Sequence, residues 1–220
     1  MPIFGQLTSD KPRHPSSSWA NWKNWAFIAW NRDKQEEEEL TLPKEFIVIA
    51  ESYSVKGYLW DKGWVWSNEI YSFANEPFTI RSNNWEILYE WLWKEIKDKV
   101  KAVGLKVTTN VHYVDPTEPD ILRTFCIKWA ASQEWMNSFS NENKNAEANN
   151  LVTLKDVKEG KTWSVKYTYP SFATVSPLTP EQRSLQMDWA AKLIAYKNEL
   201  NEAEENAEEM PMASDDELPF

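Results

Sequence analysis

Cationic and flat aromatic side chains recur side by side along this chain. Lys56 precedes Tyr58 and Trp60, Lys62 precedes Trp64 and Trp66, Lys128 adjoins Trp129, Lys161 lies near Trp163, and Lys166 adjoins Tyr167. Aromatic faces stack on unpaired bases, worth about 1–3 kcal/mol per base with little regard to sequence, while cations track a phosphate backbone. Both ingredients of single-strand binding are therefore present. Arg81, Lys106, His112 and Arg123 add further polar or cationic groups on segments that read as strands. Neighbours in an extended strand point to opposite faces, so a Lys and the adjacent Trp share a surface only where the strand bends. Any single aromatic on a strand is more often core than platform. The hairpin Tyr58–Trp66 is evenly balanced, because Leu59 and Val65 can face the core and leave Tyr58, Trp60, Trp64 and Trp66 together outside.

Other chemistries find less support. The chain has five Gly and no phosphate-binding Gly-rich loop, and Cys126 is its only cysteine. His14 and His112 are its only histidines, so neither a sulfur-based zinc site nor a histidine-rich metal centre is expected. No nucleophile motif can be named, and carboxylates such as Glu51, Glu69 and Glu76 have nothing in their sequence setting to single them out. The expectation is a binding protein and not an enzyme, without cofactor or metal. No signal peptide is read at Met1–Phe4, and no apolar run of about 18 residues occurs. A cytoplasmic location follows as an expectation.

The net charge of −10 looks unsuited to a nucleic-acid binder until it is partitioned. From Asn198 onward there are nine acidic residues and no Lys or Arg, which leaves 25 acidic against 24 basic residues in the remainder. A near-neutral body with its negative charge exported to a tail is compatible with binding phosphates. The fourteen Trp are several times what such a chain usually holds, and imply a dense aromatic core, a stacking surface, or both.

The tail ends Asp215-Asp216-Glu217-Leu218-Pro219-Phe220. Acidic residues followed by an aliphatic residue, Pro and a Phe with its α-carboxylate suit a pocket greasy at its base and basic at its rim. This order resembles the acidic C-terminal tip of bacterial and phage single-stranded DNA-binding proteins, of a divergent phage or mobile-element type. The resemblance implies a variable OB barrel and a tip that recruits replication, recombination and repair enzymes without gripping DNA. A homo-oligomer is possible in such a family. Two other readings stay open: a protein that mimics the tip to compete for those partners, and a carbohydrate-binding module built on Trp platforms.

The elements that must position these groups read as follows. Residues 1–18 form an extended arm, and a strand near Asn24–Asn31 is preferred over a helix capped at Ser18. Lys34–Glu39 is expected as an exposed loop, and Glu45–Trp60 gives the strongest strand signal, with Gly57 available for a bend. Trp85, Leu88, Tyr89, Leu92, Ile96 and Val100 follow a helical period, and Gly104 is placed to stop that helix. Leu105–Asp115 and Ile121–Ala130 alternate as strands, Ser138–Asn150 is a loop, and a last hairpin turns through Glu159-Gly160. Thr179-Pro180-Glu181-Gln182 is a helix start with a capping box. The expected fold is mainly β with helices: an OB-fold-like, partly open barrel with one inserted helix over 19–177, a C-terminal helix over 178–200, and a disordered acidic tail over 201–220.

Overall fold

The apolar run Phe46-Ile47-Val48-Ile49-Ala50 opens a thirteen-residue strand, β4 (Ile47–Leu59), which lies near the middle of a large sheet. The computed structural model describes residues 12–23, 25–31, 34–140 and 146–208, so the tip at 215–220 lies outside the described residues. Before β4 come β1 (Trp19–Lys23), β2 (Ala26–Asn31) and β3 (Glu36–Leu40); after it come β5 (Gly63–Ser67), β6 (Phe78–Ser82) and β7 (Ile87–Trp91). Then follow α1 (Trp93–Ala102), β8 (Lys106–Val114), β9 (Leu122–Lys128), α2 (Ala130–Ser140) and α3 (Ala146–Asn149). A long hairpin, β10 (Asn150–Thr162) with β11 (Val165–Pro177), leads to α4 (Pro180–Glu208). Nine strands form one sheet in the order β3-β2-β1-β9-β8-β4-β5-β6-β7. Its neighbours are antiparallel except β1 and β9, which run parallel.

The two faces of this sheet are covered differently. On one face Val111, Tyr113, Phe125 and Ile127 pack against Ala131, Trp135 and Phe139 of α2 and against Val152 and Phe172 of the hairpin. Farther along the same face, Ile96 and Val100 of α1 close over Val55, Val65, Phe78 and Ile80. The hairpin is tied to the sheet where Phe46 and Val152 exchange backbone hydrogen bonds at 2.8 and 2.9 Å. On the opposite face α4 covers only one end, with Trp189 and Leu193 buried on Ile47, Val114 and Leu122. The rest of that face is not roofed by a helix.

The fold is mainly β with helices and carries the expected C-terminal helix. The Thr179 capping box forms with Gln182, the backbone N–H of each donating to the other's side chain at 2.9 and 3.2 Å. The helix runs to Glu208, eight residues past its expected end. The strands form open sheets and do not close into a barrel: β3 and β7 are free edges. Three further departures have local causes. Residues 87–91 are strand and not helix, because Trp85 reverses the chain and the run Ile87-Leu88-Tyr89 pairs with β6. The glutamate run is an edge strand and not a loop; an edge tolerates charge, and Lys23 and Lys34 pair with Glu37 and Glu38. Trp163 and Ser164 turn the last hairpin, so Gly160 is an interior residue whose missing side chain makes room for the Tyr167 ring. The irregularity in β4 sits between Val48 and Ala50, while Gly57 stays in register beside Leu105.

Trp135 joins these layers chemically as well as sterically. Its ring is 1% exposed and its Nε1–H donates to Glu51 Oε1 at 2.6 Å. Burial holds the Glu51 carboxyl above its ordinary range, and this bond partly offsets that. Trp135→Phe keeps most of the packing and removes the donor, so a loss of about 1–3 kcal/mol is expected in urea unfolding at neutral pH.

Candidate nucleic-acid interface

Residues directly opposite each other in adjacent antiparallel strands share a face. The register therefore places Lys106 of β8, Lys56 of β4, Trp66 of β5 and Arg81 of β6 in a single row across four strands, on the face that α4 leaves open. Lys128 of β9 lies opposite Thr108, two residues along β8 from Lys106 and on the same side. Tyr58 and Trp64 face each other in the next row of this face, with ring centroids 5.7 Å apart. Trp60 in the β4–β5 turn and Trp85 in the β6–β7 turn extend this aromatic patch, 6.0 Å from Tyr58 and from Trp66 respectively. Gly63, with φ +77°, lets the hairpin close so that Tyr58 and Trp64 meet.

Lys56 and Lys106 are like charges directly across from one another, an arrangement that costs stability. Among the described residues, Lys56, Lys106, Lys128 and Arg81 form no ion pair. Burial and then repulsion from Lys56 and Lys106 hold the Lys128 ammonium below its ordinary range, and burial lowers Lys106. Lys106 Nζ sits 3.1 Å from the centroid of the Trp129 ring, and Lys56 Nζ lies 5.9 Å from that of Trp19. Beneath them Cys126 is buried, its thiol pushed up to about 11 mainly by that burial. This is a surface whose cations lack anions. Toward β3 the same face ends differently, in Glu37 and Glu39.

The remaining residues expected to bind a strand lie elsewhere. His112 is fully buried in a polar cluster and has no route to a ligand on the open face. Arg123 pairs with Tyr113 in the register and so belongs to the other face, where it is held by Glu118. Lys62 is at the hairpin turn and bonded to Glu86 at 2.9 Å. Lys166 is on the separate hairpin opposite Lys161, so the surface uniting the other lysines does not include it.

A second cluster closes the α4 end of this face. The two histidines of the chain meet at Glu69: His112 Nε2 is 3.1 Å from Oε1 and His14 Nε2 is 3.5 Å from Oε2. Ser52 Oγ also donates to Oε1, and Asn110 Nδ2 approaches it at 3.3 Å. His112 Nδ1 is 2.8 Å from Thr124 Oγ1, whose own hydrogen goes to Ser16 Oγ. His14 Nδ1 accepts the Ser16 backbone N–H at 3.0 Å, which puts that ring's proton on Nε2, facing Glu69. Two imidazoles and a carboxylate within 4.8 Å of one another resemble a metal-ligand set, and the Ser52 hydroxyl and Asn110 amide donate to the same carboxylate.

Four exposed tryptophans have positive φ: Trp25 (+77°), Trp85 (+62°), Trp129 (+56°) and Trp163 (+58°). A bulky residue in this region is strained by roughly 1–2 kcal/mol, and Gly or Asn is the usual occupant. Only Trp129 among them was expected at the interface. The available signal was Asn24-Trp25 and Asn84-Trp85, where a hairpin commonly has Asn-Gly. The chain matches no protein-family model, no curated protein and no solved structure. Among the described residues no helix is long and apolar enough to cross a membrane.

The Glu69 cluster makes a pH prediction. Burial raises the Glu69 carboxyl, but interactions with His112, His14 and Ser52 override it and hold the group far below its usual 4.5. A depressed carboxyl contributes stability fully above the unfolded-state value, and that contribution falls as pH drops through about 4.5 toward the folded value. Glu69→Gln should therefore cost about 3–5 kcal/mol at pH 7 and progressively less below pH 4.5, measured by urea denaturation. An equal cost at pH 7 and pH 3 would contradict the assignment.

Proposed function

We propose that this protein binds single-stranded DNA without strong base preference on the open face of its nine-stranded sheet. The observation that carries this is the row Lys106-Lys56-Trp66-Arg81, joined by Lys128: unpaired cations in register with an exposed aromatic patch. A phosphate backbone relieves the repulsion among the lysines, and bases stack on Tyr58, Trp60, Trp64, Trp66 and Trp85. The action is binding, with protection of the strand as its consequence, and no bond is made or broken. By its residue order, the acidic segment Asp215–Phe220 with its Leu218 and Phe220 recruits replication, recombination or repair proteins. In this reading the protein works in the cytoplasm, a phage host's included.

Titrating intrinsic Trp fluorescence with oligo-dT tests this directly. Quenching by the single strand, weakened by salt and absent with duplex DNA, is expected. Exchanging Lys56, Lys106 and Lys128 together for Gln should reduce the slope of log affinity against log salt by about 2, from roughly 0.7 per phosphate contact in a single strand. Neither quenching nor retention of any strand at low salt would end the proposal.

A further inference from the structure

A cavity of about 590 Å3 opens between the end of β9 and the β10–β11 hairpin. Its walls are largely rings: Trp22, Trp129, Trp163 and Tyr167, with Asn21 and Lys128 on the sheet side. The hairpin is fixed over it by Trp22 Nε1–H, which donates to the Thr168 carbonyl at 2.9 Å. This bond makes the cavity a built feature of the fold. Two of its walls are also strained. Trp129 and Trp163 both hold positive φ, and Trp163 is 93% exposed, so neither conformation is repaid by core packing.

Resting on the strand-binding reading above, we propose that this cavity takes one unstacked nucleobase of the bound single strand. Three features select that occupant. Flat aromatic walls suit a planar ring, and an exposed Asn amide can bond to base edges as donor and acceptor. The cavity also continues directly into the cationic row: Lys128 belongs to both, and Lys106 lies over Trp129. A strand whose phosphates follow Lys56, Lys106 and Lys128 thus reaches the cavity at the end of β9, where Lys128 and Trp129 line it. The strain at Trp129 and Trp163 is then offset by stacking made only in the complex. The strand turns one base inward here, while the Tyr58–Trp85 patch holds others on an open platform.

The test uses the full chain and a dT oligonucleotide, with and without 5-bromouracil in place of thymine. Photo-cross-links to Trp163, Tyr167 or Trp129, mapped by mass spectrometry, are expected. Trp163→Ala with Tyr167→Ala should weaken oligo-dT binding roughly tenfold while leaving the salt slope unchanged, because stacking and not phosphate contact is removed. Both positions are exposed, and circular dichroism checks that the variant folds. Strand binding that persists within twofold in this variant, with cross-links confined to the Tyr58–Trp85 patch, would overturn the cavity assignment and leave the strand-binding reading standing. No binding by the unaltered protein would remove both. A peptide of residues 215–220 that shifts the Trp163 signal and is displaced by no strand would reassign the cavity to the chain's own tip.

Discussion

One half-buried carboxylate, Glu69, gathers polar groups from three parts of the chain around the sheet. Glu69 projects from the β5–β6 connection and meets groups from the arm (His14), from β4 (Ser52) and from β8 (Asn110 and His112). The arm then leads into β1, whose parallel pairing with β9 comprises three register pairs, Trp19–Thr124 to Asn21–Cys126. So short a parallel pair gains little by itself. It is extended by Ser17 N–H to Leu122 O and Thr124 N–H to Ser18 O, and His112 reaches the same place through Thr124 and Ser16. The β1-β2-β3 half of the sheet is thereby fastened to the β8-β4 half by a polar cluster as much as by apolar packing. Hydrogen bonds from Ser52 and Asn110 offset part of the cost of the half-buried carboxylate, while His14 Nε2 and Asn110 Oδ1 are left without a hydrogen-bond partner among the described residues.

The same cluster divides this face into two chemically different parts. Along β4 the side chains on this face run from Ile47 under α4 to Ser52 at Glu69, then through Ser54 to Lys56 and Tyr58 at the open end. Beneath the helix the face is apolar, in the middle it is a satisfied anion, and beyond that it is unpaired cation and ring. Lys197 of α4 bonds Glu76 of the loop that carries Glu69, which closes the middle from above. Along β4 the unpaired positive charge therefore lies at the far end. On the same face β3 carries Glu37, paired with Lys23, and Glu39.

Much of this was legible in the residues. Alternation identified β4, β5, β8 and β9, and it put Lys56, Tyr58, Trp64 and Trp66 on one surface. The capping residues identified the start of α4. What alternation cannot supply is the order of strands in the sheet, and the row Lys106-Lys56-Trp66-Arg81 exists only because β8, β4, β5 and β6 are neighbours. The Glu69 cluster was hidden for the same reason, since His14 and His112 are far apart in the chain and neither has a local signature. The helix expected from Trp85 failed because Leu88 and Tyr89 suit both periods, and the reversal at Trp85 decided between them. Helix α2 was missed because Ala131, Trp135 and Phe139 follow so closely on an alternating strand.

Trp129 marks where those two periodicities meet, and it is strained there. An Asn or Gly at that position would let β9 end and α2 begin without the cost of a bulky left-handed residue. The ring instead receives the Lys106 ammonium at 3.1 Å and walls a cavity, neither of which the turn itself requires. The same mismatch recurs at Trp25, Trp85 and Trp163, each at a chain reversal and each exposed. Folding physics accounts for the buried tryptophans such as Trp135 and Trp189, whose indole N–H groups find Glu51 and the Pro119 carbonyl. It does not account for four rings placed outward at conformational cost. Backbone strain of this kind clusters at functional sites, and at Trp129 it coincides with the unpaired cations of the Lys56-Lys106-Lys128 surface.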